Sequence, residues 1–190
     1  MIYLIRHGET AWSATRRHTG RTDVPLTERG REQAAALAPV LAGLQPARVM
    51  TSPLSRARDT CELAGFGSTA EVDERLLEWD YGEAEGRTTA EIRTTDPAWS
   101  VWTHPIGGAE TLASVSDRVD AVIAELTEPD PVTVIFAHAH LLRVLAARWC
   151  QQPADFGKHL ELDPAGISRL GFERENPTIE RWNAGPEALG

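Results

Sequence analysis

The sequence predicts an α/β fold: a three-layer, doubly wound, mostly parallel sheet with helices on both faces. Three observations predict it. Residues 2–5 are a short, continuous apolar run that suits a strand buried on both faces, the β-branched and apolar run 132–137 is a strong strand signal, and residues 48–51 read as a further strand. Each run is followed by a stretch with helical spacing or helix-capping residues. No internal repeat or low-complexity linker interrupts the alternation, which is the pattern of strands joined by helical crossovers.

The elements follow in order. Residues 2–5 form the first strand. Thr27 caps a helix running to about Leu44, with Ala34, Leu37, Ala38 and Leu41 on one face and a kink or break at Pro39. Residues 48–51 form the second strand. Ser52 and Pro53 then read as N-cap and first helical residue, and Gly65 ends that helix. Residues 69–73 suit a short strand. The stretch 74–110 is irregular, with short helical pieces expected over 88–95 and 97–102. Thr111 caps a longer helix that aligns Val115, Val119, Val122, Ile123 and Leu126. Residues 132–137 make the strongest strand, followed by a helix from about His140 to Cys150. Residues 166–174 and 178–183 pair as a hairpin through Glu175, Asn176 and Pro177.

Composition narrows the function. A chain of 190 residues with 42% apolar and 25% charged content fits one domain, residues 1–190, with a sizeable core. The net charge of −9 argues against general nucleic-acid or membrane-surface binding. No run reaches the length of a membrane span, and the opening Met-Ile-Tyr-Leu-Ile reads as a strand, not a signal peptide. Two cysteines, Cys61 and Cys150, do not make a disulfide framework, so a reducing, cytoplasmic location is expected.

In open parallel sheets ligands bind outside the carboxyl ends of the strands. Those ends carry Arg6-His7-Gly8-Glu9, Ser52-Pro53-Leu54-Ser55-Arg56 and His138-Ala139-His140. Arginine forks match phosphate oxygens, and Arg56 lies in the first turn of a helix, where free N–H groups add positive potential. Two arginines, Arg6 and Arg56, and two or three of the histidines meeting at one sheet edge therefore make an anion site. His7 can attack phosphorus and carry a phosphohistidine, provided its attacking nitrogen is neutral. Glu78, between Leu77 and Trp79, suits the proton donor to the leaving group and the later acceptor of a proton from water. On physics alone, however, a loop glutamate is usually just solvated.

The blocks Leu4-Ile5-Arg6-His7-Gly8-Glu9-Thr10, Thr19 to Thr27, Ser52 to Ala57, Leu77 to Gly82, Gly107 to Thr111 and Phe136 to His140 occur in one ordered series. The series resembles the histidine phosphatase superfamily, in its phosphoglycerate mutase-like branch, and the combination of Trp12-Ser13, Glu78-Trp79-Asp80-Tyr81-Gly82 and Trp99-Ser100-Val101-Trp102 is similar to its acid phosphatase and sugar-bisphosphatase-like members. The resemblance implies the phosphoglycerate mutase-like fold. It also implies His7 as the phosphorylated residue, Glu78 as proton donor and acceptor, and Arg6, Arg56 and His138 as the phosphate clamp. Thr19 and Gly20 would line the substrate mouth. Two positions depart from the family pattern. Ser13 stands where asparagine is common, and its hydroxyl could still donate to phosphate. Ala139 stands where glycine is common, and would be strained if that position needs positive φ.

The remaining candidates have two readings each. His140 is either a second substrate-binding group or an ordinary residue at a helix start. Trp79, Tyr81, Trp99 and Trp102 are either an apolar wall against the substrate or a satellite core under a long loop. His18, His104 and His159 read as surface or loop histidines. Glu9 anchors its loop by pairing with a basic group. Arg16, Arg17 and Arg21 either extend the positive field at the mouth or are simply solvated.

Neither cysteine is followed six residues later by arginine, and no Asp-x-Asp pair or Walker-type Gly-Lys-Ser/Thr is present. The His-x-His pair lacks a third ligand at metal spacing. The expected activity is a metal-independent, cofactor-free phosphomonoesterase acting on a small phosphorylated metabolite, such as a sugar phosphate. A mutase is less expected, because the resemblance implies for cofactor-dependent mutases an insertion after the acid with a paired-arginine motif for the substrate carboxylate, and no Arg-Arg pair follows Glu78. An inactive phosphate-binding scaffold is the remaining alternative. Exposed sheet edges and loop aromatics would leave room for a homodimer.

Overall fold

The computed structural model describes residues 1–104, 107–126 and 132–186. In chain order the main elements are β1 (Ile2–Arg6), α1 (Ala11–Ala14), α2 (Glu28–Ala35), α3 (Leu37–Leu41), β2 (Arg48–Thr51), α4 (Ser55–Leu63), β3 (Ala70–Val72), α5 (Thr89–Arg93), α6 (Leu112–Glu125), β4 (Thr133–Ala137), α7 (Ala139–Trp149), β5 (Ile167–Glu173) and β6 (Asn176–Ala184). Short 3-10 turns stand at Glu74–Leu76, Gly82–Ala84 and Ala154–His159.

The strands form one sheet in the order β3-β2-β4-β1-β5-β6. The first four are mutually parallel, and β5 and β6 add an antiparallel hairpin on the far side. Alternation along each strand sends side chains to opposite faces. Ile2, Leu4, Met50, Ile135 and Ala137 meet Val115, Val119, Val122, Leu141 and Leu145 of α6 and α7. Tyr3, Ile5, Val49, Val134 and Phe136 meet Leu37, Leu41 and Cys61 of α3 and α4. This is the three-layer, mostly parallel α/β arrangement expected from the alternating pattern. Each fully buried aliphatic side chain contributes roughly 1.5–3 kcal/mol to holding the layers together.

Four local expectations need correction. The helix expected over 27–44 breaks at Ala36, about one turn before Pro39. Proline has no N–H for the carbonyl four residues earlier, and its ring crowds that carbonyl. Ser52 is not the cap of α4. Leu54 holds that position, and the Asp23 carboxylate accepts the Ser55 N–H and hydroxyl at 2.9 Å each. The helical piece expected over 97–102 is a series of turns. There the Asp96 carboxylate accepts the Ala98 N–H, and Arg93 Nε donates to the Trp99 carbonyl. The hairpin turns at Arg174 and Glu175, with Arg174 at φ 55°, so Pro177 lies within β6. As an edge strand, β6 tolerates a residue without an N–H.

No described helix is long and apolar enough to cross a membrane. Two glycines bring α2 against the loop after β1. A Cβ on Gly8 would strike the Gly30 carbonyl, and a Cβ on Gly30 would strike the Glu9 backbone. Both obstacles are main chain and cannot rotate away. Gly30→Ala is expected to cost about 1–3 kcal/mol, read as a lower urea midpoint. Gly43→Ala, which faces open space, is the control and should leave the midpoint nearly unchanged. Equal midpoints for both variants would contradict the close approach.

Candidate active site

Strands β1 and β4 are neighbours in register, with Arg6 opposite Ala137. The next residues along each strand, His7 and His138, therefore emerge side by side at the carboxyl edge of the sheet. Their ring centroids are 5.2 Å apart. A cleft of about 440 Å³ opens there, lined by Arg6, His7, Ser13, Arg16, Arg17, His18, Thr19, Glu78, Tyr81, Ala139, His140, Arg143, Glu161, Leu162, Asp163 and Pro164. A second cavity of about 350 Å³ lies at the opposite end of the strands. Its Arg48, Glu71 and Glu125 are engaged with one another.

The tautomer of His7 follows from one contact. Its Nδ1 lies 2.7 Å from the Gly8 carbonyl oxygen, which can only accept, so Nδ1 carries the proton. The lone pair is left on Nε2. Burial, then Arg56 and Arg6, hold the imidazole pKa well below its ordinary value, so the ring is neutral. The Gly8 N–H is held in turn by Thr60 Oγ1.

Arg6 donates from Nη1 to the Leu162 carbonyl at 2.6 Å, while its buried Nε has no protein partner. Arg56 is fully buried. Nη1 donates to the Thr22 carbonyl, and Nη2 to the carbonyls of Thr19 and Gly20, at 2.8–3.0 Å. Its Nε also has no protein partner. Burial lowers the pKa of both guanidinium groups, with Glu78 the largest opposing influence. His138 is fully buried with Nε2 2.7 Å from Ser52 Oγ, and its Nδ1 is unpartnered. Three buried nitrogens around His7 therefore lack acceptors, a costly state that an anion would relieve.

Glu78 faces this group across the cleft and is 4% exposed. Its Oε1 accepts the N–H groups of Trp79 and Leu141, and Oε2 accepts that of His140. The carboxylate thus sits on the first turn of α7. Arg118 steadies the loop before it, donating to the carbonyls of Arg75 and Leu77.

The structure brings Arg6, His7, Arg56, His138 and Glu78 together. It places the outer residues less uniformly. Tyr81, Ala139 and His140 line the cleft. The Tyr81 hydroxyl is 2.6 Å from His140 Nδ1. Ala139 opens α7 and is not among the positive-φ residues, so it carries no strain. Ser13 lines the cleft, but its hydroxyl proton goes to the Thr10 carbonyl in a capping box around α1.

Thr19 lines the mouth. Gly20 does not line it, because it lies buried with its carbonyl on Arg56. Trp79 is not a cleft wall either. It is 1% exposed, and its indole N–H is held by the Glu110 carbonyl inside the core. Trp99 is likewise buried. Glu9 accepts from the Thr27 hydroxyl, with Arg29 at 3.9 Å.

Several cleft residues escaped the sequence reading. His18, read from sequence as an ordinary surface or loop histidine, lies in a loop but half-buried in the cleft, with Nε2 on Thr89 Oγ1, and burial lowers its pKa to about 4. Arg143 donates to the Gly157 carbonyl with its guanidinium over Trp102. Helical spacing could have suggested Arg143, which lies one turn after Ala139 on α7. Nothing in the sequence marks His18. Among the described residues no cluster of three or more His, Cys, Asp or Glu is placed to hold a metal ion.

Known proteins resemble this chain in sequence and in fold. The acid phosphatase of Mycobacterium tuberculosis is 43% identical over 176 residues, covering 90% of this chain and 86% of that protein. A probable phosphoglycerate mutase, GpmB, of Salmonella paratyphi C is 29% identical, covering 95% and 89%. The solved structure of the open reading frame Rv3214 from Mycobacterium tuberculosis superposes with a TM-score of 0.91 at 38% identity, covering 97% of each chain. The family model for the histidine phosphatase superfamily, branch 1, matches residues 2–185, and the chain belongs to that superfamily.

Proposed function

We propose that the protein is a phosphomonoesterase that hydrolyses a small phosphorylated metabolite through a phosphohistidine at His7. The observation that carries this reading is the His7 ring itself. It is neutral, its Nε2 lone pair is free, and it stands among three buried nitrogens that lack acceptors. The greater identity to an acid phosphatase than to a probable mutase supports hydrolysis over phosphate return.

In the first step His7 Nε2 attacks phosphorus and the P–O ester bond breaks. The departing oxygen takes a proton from Glu78. Arg6 and Arg56, through their free Nε–H groups, and His138, through Nδ1, hold the equatorial oxygens as charge spreads over them. In the second step water attacks phosphorus, gives its proton to the Glu78 carboxylate, and the N–P bond breaks. His7 is regenerated and phosphate leaves. The three backbone N–H groups on Glu78 keep the carboxyl group facing the ester oxygen in both steps.

The cleft beyond His7 supports a polar leaving group. Arg16, Arg17, Arg143, His18 and His140 share its wall with Glu161 and Asp163. Such mixed walls suit hydroxyl-rich esters, including sugar phosphates, better than apolar ones.

His7→Ala is expected to lower kcat on a chromogenic phosphate ester by at least about 10³-fold. Glu78→Gln should lose about 10²–10⁴-fold on esters with poor leaving groups, and far less on p-nitrophenyl phosphate, whose leaving group needs little protonation. Substantial turnover by His7→Ala would sink the reading. A primed 3-phosphoglycerate assay yielding isomer without free phosphate would turn it to a mutase.

The pH profile gives a separate check. Protonation of Nε2 would abolish attack, and an ordinary histidine is half protonated at about pH 6.5. Because the His7 pKa is held well below that value, kcat/KM should not fall between pH 7 and about 5.5. An acid limb centred at an ordinary histidine value would contradict the neutral His7 assignment.

A further inference from the structure

We propose that Ser52 is a positioning residue that sets the tautomer of His138, holding its Nδ1 as an N–H donor toward the phosphoryl group. The inference rests on the reading of His138 as part of the phosphate clamp. Ser52 follows β2, where its own N–H donates to the Phe136 carbonyl of β4 at 3.0 Å. Its hydroxyl oxygen lies 2.7 Å from His138 Nε2, and both residues are fully buried. The Leu54 N–H approaches the same oxygen at 3.4 Å.

Two neutral arrangements fit that contact. In one, the Ser52 hydroxyl donates to Nε2, and the ring proton sits on Nδ1. In the other, Nε2–H donates to Ser52, and Nδ1 is a bare lone pair. The second arrangement leaves two buried groups unmet: the serine hydroxyl proton, which has no other acceptor among the described residues, and the Nδ1 lone pair, which has no donor. The first leaves one, the Nδ1–H. Burial penalises each unmet group, so the first is favoured. A doubly protonated ring is disfavoured by burial beside Arg56, His7 and Arg6.

The sign of the remaining unmet group matters. A lone pair on Nδ1 would repel phosphoryl oxygens, whereas an N–H attracts them. His7 and His138 then carry their protons on the same ring nitrogen and take opposite roles. The Gly8 carbonyl leaves His7 with a lone pair for attack. The Ser52 hydroxyl leaves His138 with a donor for binding, and adds no charge beside two arginines.

Long-range proton–nitrogen NMR of the wild-type protein in phosphate-free buffer tests this directly, with the His138 signals assigned by their loss in His138→Gln. The expected spectrum shows Nδ1 protonated and Nε2 bare. The reverse assignment would overturn the proposal without any variant of Ser52. In Ser52→Ala the ring should shift toward the Nε2–H form, and kcat/KM and orthovanadate affinity should each fall about tenfold. An unchanged tautomer and unchanged vanadate affinity in Ser52→Ala would also overturn it. Wild-type enzyme that orthovanadate does not inhibit would remove the clamp reading, and the donor role with it, while the spectrum still reports the ring.

Discussion

Arg56 places a guanidinium group where no solvent reaches it, and the nearest carboxylate oxygen, on Asp23, stands 4.0 Å away. Burying a charge without a close counter-ion is expensive. The fold meets that cost with main-chain carbonyls of Thr19, Gly20 and Thr22. That loop is itself held by the Glu85 carboxylate, which accepts the N–H groups of Arg21 and Thr22. The consequences reach the chemistry. Together with burial, the positive field of Arg56 and Arg6 keeps His7 and His138 neutral. One ring can then offer a lone pair and the other an N–H.

The sheet makes this concentration of cations possible. Parallel pairing of β1 with β4 and of β4 with β2 delivers three chain segments to one edge. The two cores on either side of the sheet fix those strands in register. A one-residue slip in β1 would turn Arg6 and His7 to opposite faces. Glu78 comes from a loop, yet the start of α7 and the Arg118 contacts hold it as firmly as a strand residue. Rigid supports of this kind keep donors aimed before substrate arrives, which is the condition for electrostatic stabilisation of a transition state.

Much of this was legible from sequence, and the reason is local. Apolar runs ending in Arg6-His7 and in His138-Ala139-His140 carry strand, edge and chemistry within a few residues. What escaped depends on partners distant in the chain. Ser52 looks like a helix cap until β4 sets His138 beside it, 86 residues later in sequence. Asp23 supplies the cap for α4 from 32 residues away. Trp79 looks like a substrate wall because it adjoins Glu78, but it is buried among Tyr81, Trp102 and His140, with its indole N–H on the Glu110 carbonyl. His18 carries no local signal, because only the packing of Tyr81 and Trp99 around it makes it part of the cleft. The hydroxyl of Ser13 is open to phosphate by residue type, and only the fold shows that it also reaches the Thr10 carbonyl.

The central claim is that phosphorus passes through Nε2 of His7. The most direct measurement is rapid mixing with excess phosphate ester, an alkaline quench that preserves phosphohistidine, and mass spectrometry of the digested protein. The account predicts a single added phosphoryl group on the peptide containing His7, formed at least as fast as turnover. Full turnover with no phosphoryl group on that peptide, or with the group on another residue, would contradict it.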